Sequence, residues 1–192
     1  MLQGQGFKQV LNLAGGIRAW NGDVAQGPVE LNLDLVRGDE TPVEIIKIVY
    51  GMEQSLGGFY RAAKSGTDDV EVIKLLEFLI AVENKHKARL MEFYRSLEPS
   101  GFSVEAFEAE VHAGVMEGGF DPETFMKQNE RSLGTVPTLL DLCMMLEAQA
   151  LDLYLRFSFK TDSEQTREVL NRIADEEKGH LSALGKLREE KR

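Results

Sequence analysis

The spacing of apolar residues predicts four long helices after residue 40. From Thr41 onward, apolar residues recur every three or four positions, which is the period of one face of an α-helix. Four such stripes follow one another along the chain and predict an all-α domain over residues 41–192. They consist of Ile46, Val49, Leu56 and Tyr60; Leu76, Leu79, Leu90, Phe93 and Leu97; Leu140, Met144, Leu151 and Tyr154; and Leu170, Ile173, Leu184 and Leu187.

Capping sequences and turns divide these stripes into two helical hairpins. Thr41 with Glu44 forms a capping box, and the same box is expected from Asp68 with Glu71 and from Thr161 with Glu164. The third helix is expected to open at Val136-Pro137. The turns within each hairpin are short, whereas about 35 residues separate the second helix from the third. This order predicts a four-helix bundle with one long crossover.

Polar residues interrupt every apolar stripe on its inward side. A carboxylate that is buried without a partner is costly, so these residues need a physical reason to be there. The interrupting residues are Glu53 in the first helix, Glu83 and His86 in the second, Glu147 in the third, and Glu177 and His180 in the fourth.

The interrupting residues form a unit that occurs twice. Glu83 and Glu177 each lie 30 residues after the preceding helix's carboxylate, and each has a histidine three positions later on the same helix face. A tyrosine follows the first carboxylate of each unit by seven residues, at Tyr60 and Tyr154. The alternative, solvated faces with chance histidines, is disfavoured because these residues replace apolar positions.

The repeated unit predicts a pair of metal ions in the core. In two antiparallel hairpins the four carboxylates and two imidazoles would meet at one height. Carboxylate and imidazole ligands suit iron, with manganese or zinc as alternatives. Two divalent ions would balance the charge of four carboxylates.

At these residues the chain resembles the ferritin-like di-iron carboxylate superfamily, and in particular its rubrerythrin-like branch. The resemblance covers about residues 41–192 and implies a ferritin-like bundle that holds two irons. It implies that Glu83 and Glu177 bridge the metals, and that His86 and His180 bind one metal each. Glu53 and Glu147 would be the more terminal carboxylates, with Tyr60 and Tyr154 outside the ligands.

Two departures from the rubrerythrin pattern affect the expected chemistry. Rubrerythrins usually carry an extra glutamate three residues after the third-helix ligand, where this chain has Ala150. A single cysteine, Cys143, also excludes a four-cysteine rubredoxin site. We therefore expect a more symmetric metal site, and an electron donor that is a separate protein.

The N-terminal stretch has a different character and is rich in glycine. Its pattern Gly6-Phe7, Gly15-Gly16-Ile17 and Ala19-Trp20 resembles the C-terminal end of a rhodanese domain, the alternative being a generic glycine-rich tail. We assign residues 1–28 to this rhodanese-like remnant and residues 29–40 to a linker. Sulfurtransferase activity is not expected, because the one thiol lies within a predicted helix.

Charge and composition narrow the remaining classes of function. The formal net charge of −10 argues against binding to nucleic acid or to anionic membranes. No apolar run is long enough for a membrane span and no secretory signal is visible, so a cytoplasmic location is the default expectation. We also expect a homodimer.

Two hypotheses about function remain open at this point. The first is a non-haem di-iron oxidoreductase that reduces hydrogen peroxide or dioxygen. The alternative is a non-catalytic module that stores or senses metal, and turnover with a reductant distinguishes the two.

Overall fold

The computed structural model describes residues 35–98 and 103–190, and the regular secondary structure in these ranges is all helical. The regular helices are α1 (Pro42–Ser65), α2 (Val70–Leu97), α3 (Val104–Ala109), α4 (Pro122–Asn129), α5 (Val136–Lys160) and α6 (Glu164–Glu190). Short 3₁₀ turns occupy Glu117–Gly119 and Glu130–Leu133. The prediction of an all-α domain is therefore confirmed, while the rhodanese-like residues 1–28 lie outside the described part.

The four long helices pack as two hairpins around a shared core. Helix α1 packs along α2, and α5 packs along α6, with further contacts of α1 with α6 and of α2 with α5. Helices α3 and α4 belong to the long connection between the hairpins. None of the helices in the described ranges is long and apolar enough to cross a membrane.

The apolar core consists of two clusters with a polar layer between them. Along α1 the first cluster ends at Met52 and the second begins at Leu56, and the same change of cluster occurs on each of the other long helices. The residues at these changes are the ones that interrupt the apolar stripes. The core therefore holds the polar layer at mid-height, with packed side chains above and below it.

Local capping differs from the predictions at two helix starts. The box of Thr41 and Glu44 is present at the start of α1. Helix α2, however, is capped by Asp69 rather than Asp68, since the Asp69 carboxylate accepts from two backbone N–H groups in the first turn. Thr161 ends α5 instead of capping α6, and Ser163 Oγ accepts the bond from Thr166 N at 3.2 Å.

Residues 35–40, which the sequence assigned to the linker, instead pack on the helices. Val36 is fully buried, and its carbonyl accepts a hydrogen bond from the Lys160 ammonium. The Glu40 carboxylate is also buried and accepts bonds from the backbone N–H groups of Arg37 and Gly38, at 2.7 and 2.9 Å. These contacts fix the chain immediately before α1.

Candidate metal centre

Each hairpin builds one half of a candidate metal centre. On α1 and α2, His86 Nδ1 lies 3.4 Å from Oε1 of Glu53 and 3.5 Å from Oε2 of Glu83. All three side chains are buried, with relative exposures of 5% or less. Their potential ligand atoms lie within 4.8 Å of one another, which is close enough to share one ion.

The second hairpin repeats this arrangement with the equivalent residues. His180 Nδ1 lies 3.3 Å from Oε2 of Glu147 and 3.1 Å from Oε2 of Glu177. The two carboxylates are buried, and the histidine is partly buried. The sequence repeat thus corresponds to two matching groups of side chains in space.

The two halves meet through both imidazoles and carboxylates. The rings of His86 and His180 stack, with centroids 3.7 Å apart and planes 14° apart. Ligand atoms of Glu53 and Glu177 also lie within 4.8 Å of each other and of Glu117. All six residues predicted from the sequence therefore belong to one continuous polar cluster.

Several carboxylate oxygens in this cluster lack a donor. Neither oxygen of Glu83 accepts a hydrogen bond from an N–H or O–H group of the described residues, and the same holds for Oε2 of Glu53. A buried carboxylate without donors carries a large desolvation penalty. Metal ions coordinated to these oxygens would offset that penalty, and the donor set of carboxylates and imidazoles suits iron, manganese or zinc.

Burial and mutual repulsion raise the pKa values of three of these carboxylates. Burial raises the pKa of Glu53 well above 4.5, and the charges of Glu117 and Glu83 raise it further. Burial also raises the pKa of Glu117 and of Glu177, with neighbouring carboxylates adding to the effect.

The pKa of Glu147 is shifted in the opposite direction, below its ordinary value. Burial opposes ionisation there too, but the hydrogen bonds with His180 and Glu177 and the charge interactions with His180 and His86 together lower the pKa of Glu147.

Glu117 is a site residue that the sequence analysis missed. It lies in the 3₁₀ turn of the long connection, is 1% exposed, and completes a group with Glu53 and Glu177. No helical period marks it, and the one local signal is the Gly118-Gly119 pair that follows it. The cluster thus brings together five carboxylates of the described residues rather than four, and the more symmetric metal site expected from Ala150 stays a prediction.

The two repeated tyrosines occupy different environments. The Tyr154 hydroxyl donates to Oε1 of Glu117 at 2.8 Å. The Tyr60 hydroxyl is buried and makes no hydrogen bond within the described residues; burial and the neighbouring Cys143 and Glu83 raise its pKa well above 10. Neither tyrosine hydrogen-bonds one of the four carboxylates predicted as ligands.

Cys143 lies in the core beside this site. Its side chain is fully buried on α5, and burial raises the pKa of its thiol to about 12. It is therefore an uncharged core residue, in agreement with its position within the predicted third helix.

Comparison with protein-family models, curated proteins and solved structures finds no significant match to this chain.

Proposed function

We propose that residues 41–192 form a ferritin-like di-iron domain of the rubrerythrin-like branch, acting as an oxidoreductase that reduces hydrogen peroxide or dioxygen. The order of two helical hairpins joined by one long connection supports this fold. The duplicated Glu and Glu-x-x-His unit supports the metal pair. Manganese or zinc remain alternatives for the metal.

The proposal rests mainly on buried carboxylate oxygens of the first hairpin that accept no hydrogen bond from the described residues. Glu83 and Glu53 present three such oxygens, and one of them, Oε2 of Glu83, lies 3.5 Å from Nδ1 of His86. A structural ion-pair network would place a hydrogen-bond donor on each oxygen, because the lost hydration must be replaced. In the proposed function, two divalent cations would replace it.

The residues divide the binding of the metals between the hairpins. Glu53 and His86 would hold one ion, and Glu147 and His180 the other. Glu83 and Glu177 would bridge the two ions. Each lies on the second helix of its hairpin, α2 or α6, three residues before the histidine of that helix. Both bridges therefore come from the helices that also carry the imidazoles.

A bound pair of irons would supply the redox chemistry, since two Fe²⁺ ions can give two electrons to one O–O bond. Reduction of one hydrogen peroxide consumes two electrons and two protons and yields two waters. The single cysteine of the sequence cannot build a rubredoxin-type iron site, so we expect a separate donor protein to return the electrons. The packed clusters above and below the site restrict the entry of water.

The test begins with metal content. Protein expressed in iron-supplemented medium should contain two irons per chain, and the Glu83→Gln variant should contain far less. Anaerobic protein loaded with two Fe²⁺ should then be mixed with hydrogen peroxide or dioxygen in a stopped-flow instrument, with oxidation followed in the near-ultraviolet. We expect oxidation by at least one oxidant, followed by repeated turnover when a reductant is added.

The alternative function has a distinct outcome in the same experiment. A module that stores or senses metal would bind the two ions but would fail to turn over with oxidant and reductant. Absence of specific metal binding would contradict both functions.

A further inference from the structure

We propose that Glu117 is a further ligand of the metal pair. It lies in the connection between the hairpins, on a turn that contains two glycines, and this turn places its carboxylate beside Glu53 and Glu177. The inference rests on the proposed di-metal function and adds to it a ligand outside the repeated unit. The ligand atoms of these three residues lie within 4.8 Å of one another, and all three are buried.

The backbone of the connection directs Glu117 inward. Met116 is fully buried, and its N–H donates to the carbonyl of Phe120 at 2.8 Å. Between them, Gly118 and Gly119 have φ angles of 73° and 78°, in the left-handed region that favours glycine. The turn therefore fixes the residues on either side of the glycines, and Glu117 faces the polar layer.

Close packing of this turn against α5 leaves no room for a side chain at Gly118. A Cβ atom on Gly118 would lie 2.9 Å from Cβ of Gln149 and 2.8 Å from the ring of Phe120, both shorter than real Cβ contacts. The turn is thus pressed against the part of α5 that carries Glu147 and Tyr154.

Tyr154 holds the Glu117 carboxylate in place. Its hydroxyl donates to Oε1 at 2.8 Å, which leaves lone pairs on the carboxylate for another partner. Hydrogen bonds of this kind orient metal-binding carboxylates in proteins. The tyrosine is a positioning residue here, because it acts on the metals through Glu117.

A purely structural Tyr154–Glu117 pair does not account for the surroundings. Glu117 lies near the charges of Glu147 and Glu83 as well as Glu53, and these buried carboxylates repel one another when they are ionised. One tyrosine hydroxyl does not offset that repulsion, whereas bound cations do. The donor-free Oε2 of Glu53, in the same group, independently points to a cation at this position.

The connection offers a matched control for both residues. Tyr50 donates to Oε1 of Glu108 at 2.8 Å, so the chemistry of the pair is the same. Glu108, however, lies on the exposed surface of α3, away from the polar layer. The variants Glu108→Gln and Tyr50→Phe therefore remove the same groups without touching the proposed ligands.

The test titrates the full-length protein with Co²⁺ in competition with a chromophoric chelator, and records the visible Co²⁺ spectrum. Glu117→Gln should weaken Co²⁺ affinity by about tenfold or more and change the intensity of the spectrum, because a ligand is lost. Tyr154→Phe should give a smaller loss, and the two control variants should match the unmodified protein. The metal-free Glu117→Gln protein should melt at the same temperature as the unmodified protein or higher.

Two results would overturn the assignment. Unchanged affinity and spectrum in Glu117→Gln, with binding still lost in Glu83→Gln, would remove Glu117 from the ligands but keep the di-metal function. Equal binding by the unmodified protein and Glu83→Gln would instead contradict that function. If Glu117→Gln does not fold, Glu117→Asp retains the charge but shortens the side chain, and an unchanged Co²⁺ spectrum in that variant would also overturn the proposal.

Discussion

His86 and His180 stack face to face at the centre of the core, with ring centroids 3.7 Å apart. They come from different hairpins, and each has its Nδ1 atom within 3.5 Å of the two carboxylates of its own hairpin. Each ring thus lies beside the carboxylates of its own half of the site. The pair thus marks the boundary between the two halves.

This division predicts that each histidine serves one metal. Replacement of His86 or His180 by alanine should leave about one strongly bound ion per chain, because each variant keeps one complete half-site. Elemental analysis after gel filtration measures this ratio. His112→Ala is the control, since His112 is exposed and its Nδ1 forms a hydrogen bond with the Glu110 carbonyl, outside the metal-binding groups. Two tightly bound ions in either site variant would contradict the division.

The carboxylates assigned as bridges should behave differently from the histidines. Glu83→Gln and Glu177→Gln should each lose both ions, because a bridge contributes to both. Glu176→Gln is a matched control, since Glu176 is adjacent to Glu177 but pairs with Arg89 at 3.5 Å on the partly exposed side of α6. Retention of one ion in the Glu177 variant would show that this residue is terminal rather than bridging.

The metal-free protein should lose stability as the pH rises from about 4.5 toward 8. Burial raises the pKa of Glu53, Glu117 and Glu177, so the folded state holds protons that the unfolded chain releases above its ordinary glutamate pKa. By linkage, the free energy of unfolding falls with pH over that window. The lowered pKa of Glu147 acts in the other direction, and its stabilisation is lost only below about pH 4.5.

Urea unfolding at a series of pH values, with chelator present, measures this dependence. Two equivalents of Mn²⁺ should reverse the trend, because the ligands bind metal in their deprotonated forms and affinity therefore increases with pH. A metal-free protein whose stability rises steadily from pH 5 to 8 would contradict the burial of these carboxylates.

The clustering of the six candidate ligands could be predicted because regular helices carry them. A period of three to four residues fixes which side chains share a helix face, and two short turns fix the height at which Glu53 meets Glu83 and Glu147 meets Glu177. Glu117 could not be found in this way, because a residue on a long connection is positioned by packing distant in sequence. Here the neighbouring residue Gly118 packs closely against Gln149 on α5, and this contact positions Glu117.

The errors at helix ends have a similar physical origin. Asp68 and Asp69 are both good caps, and the sequence alone does not decide which of two neighbours the backbone selects. Leu97 continues the stripe of α2 but is 39% exposed, because it lies in the last turn beyond the core clusters. The rhodanese-like assignment of residues 1–28 stays a prediction.

Cys143 should be unreactive in the folded protein. Its thiol is fully buried and burial raises its pKa to about 12, so almost no thiolate forms near neutral pH. A thiol reagent such as 5,5′-dithiobis(2-nitrobenzoate) should label the native protein far more slowly than the protein in 6 M guanidinium chloride. Thiosulfate-to-cyanide transfer should remain at background. Fast labelling under native conditions would show that α5 opens readily at this position.

The two tyrosines of the repeated unit should respond differently to the same substitution. Tyr60 and Tyr154 occupy equivalent sequence positions, but Tyr154 alone donates to a carboxylate of the site. Tyr154→Phe leaves the buried Glu117 without that donor and should destabilise the metal-free protein by about 1–3 kcal/mol. Tyr60→Phe removes a hydroxyl that has no hydrogen-bond partner in the described part of the chain, and it should change the free energy of unfolding by less than about 1 kcal/mol. Chemical unfolding of both variants measures the difference, and equal effects would mean that the bond to Glu117 does not distinguish the two halves of the repeat.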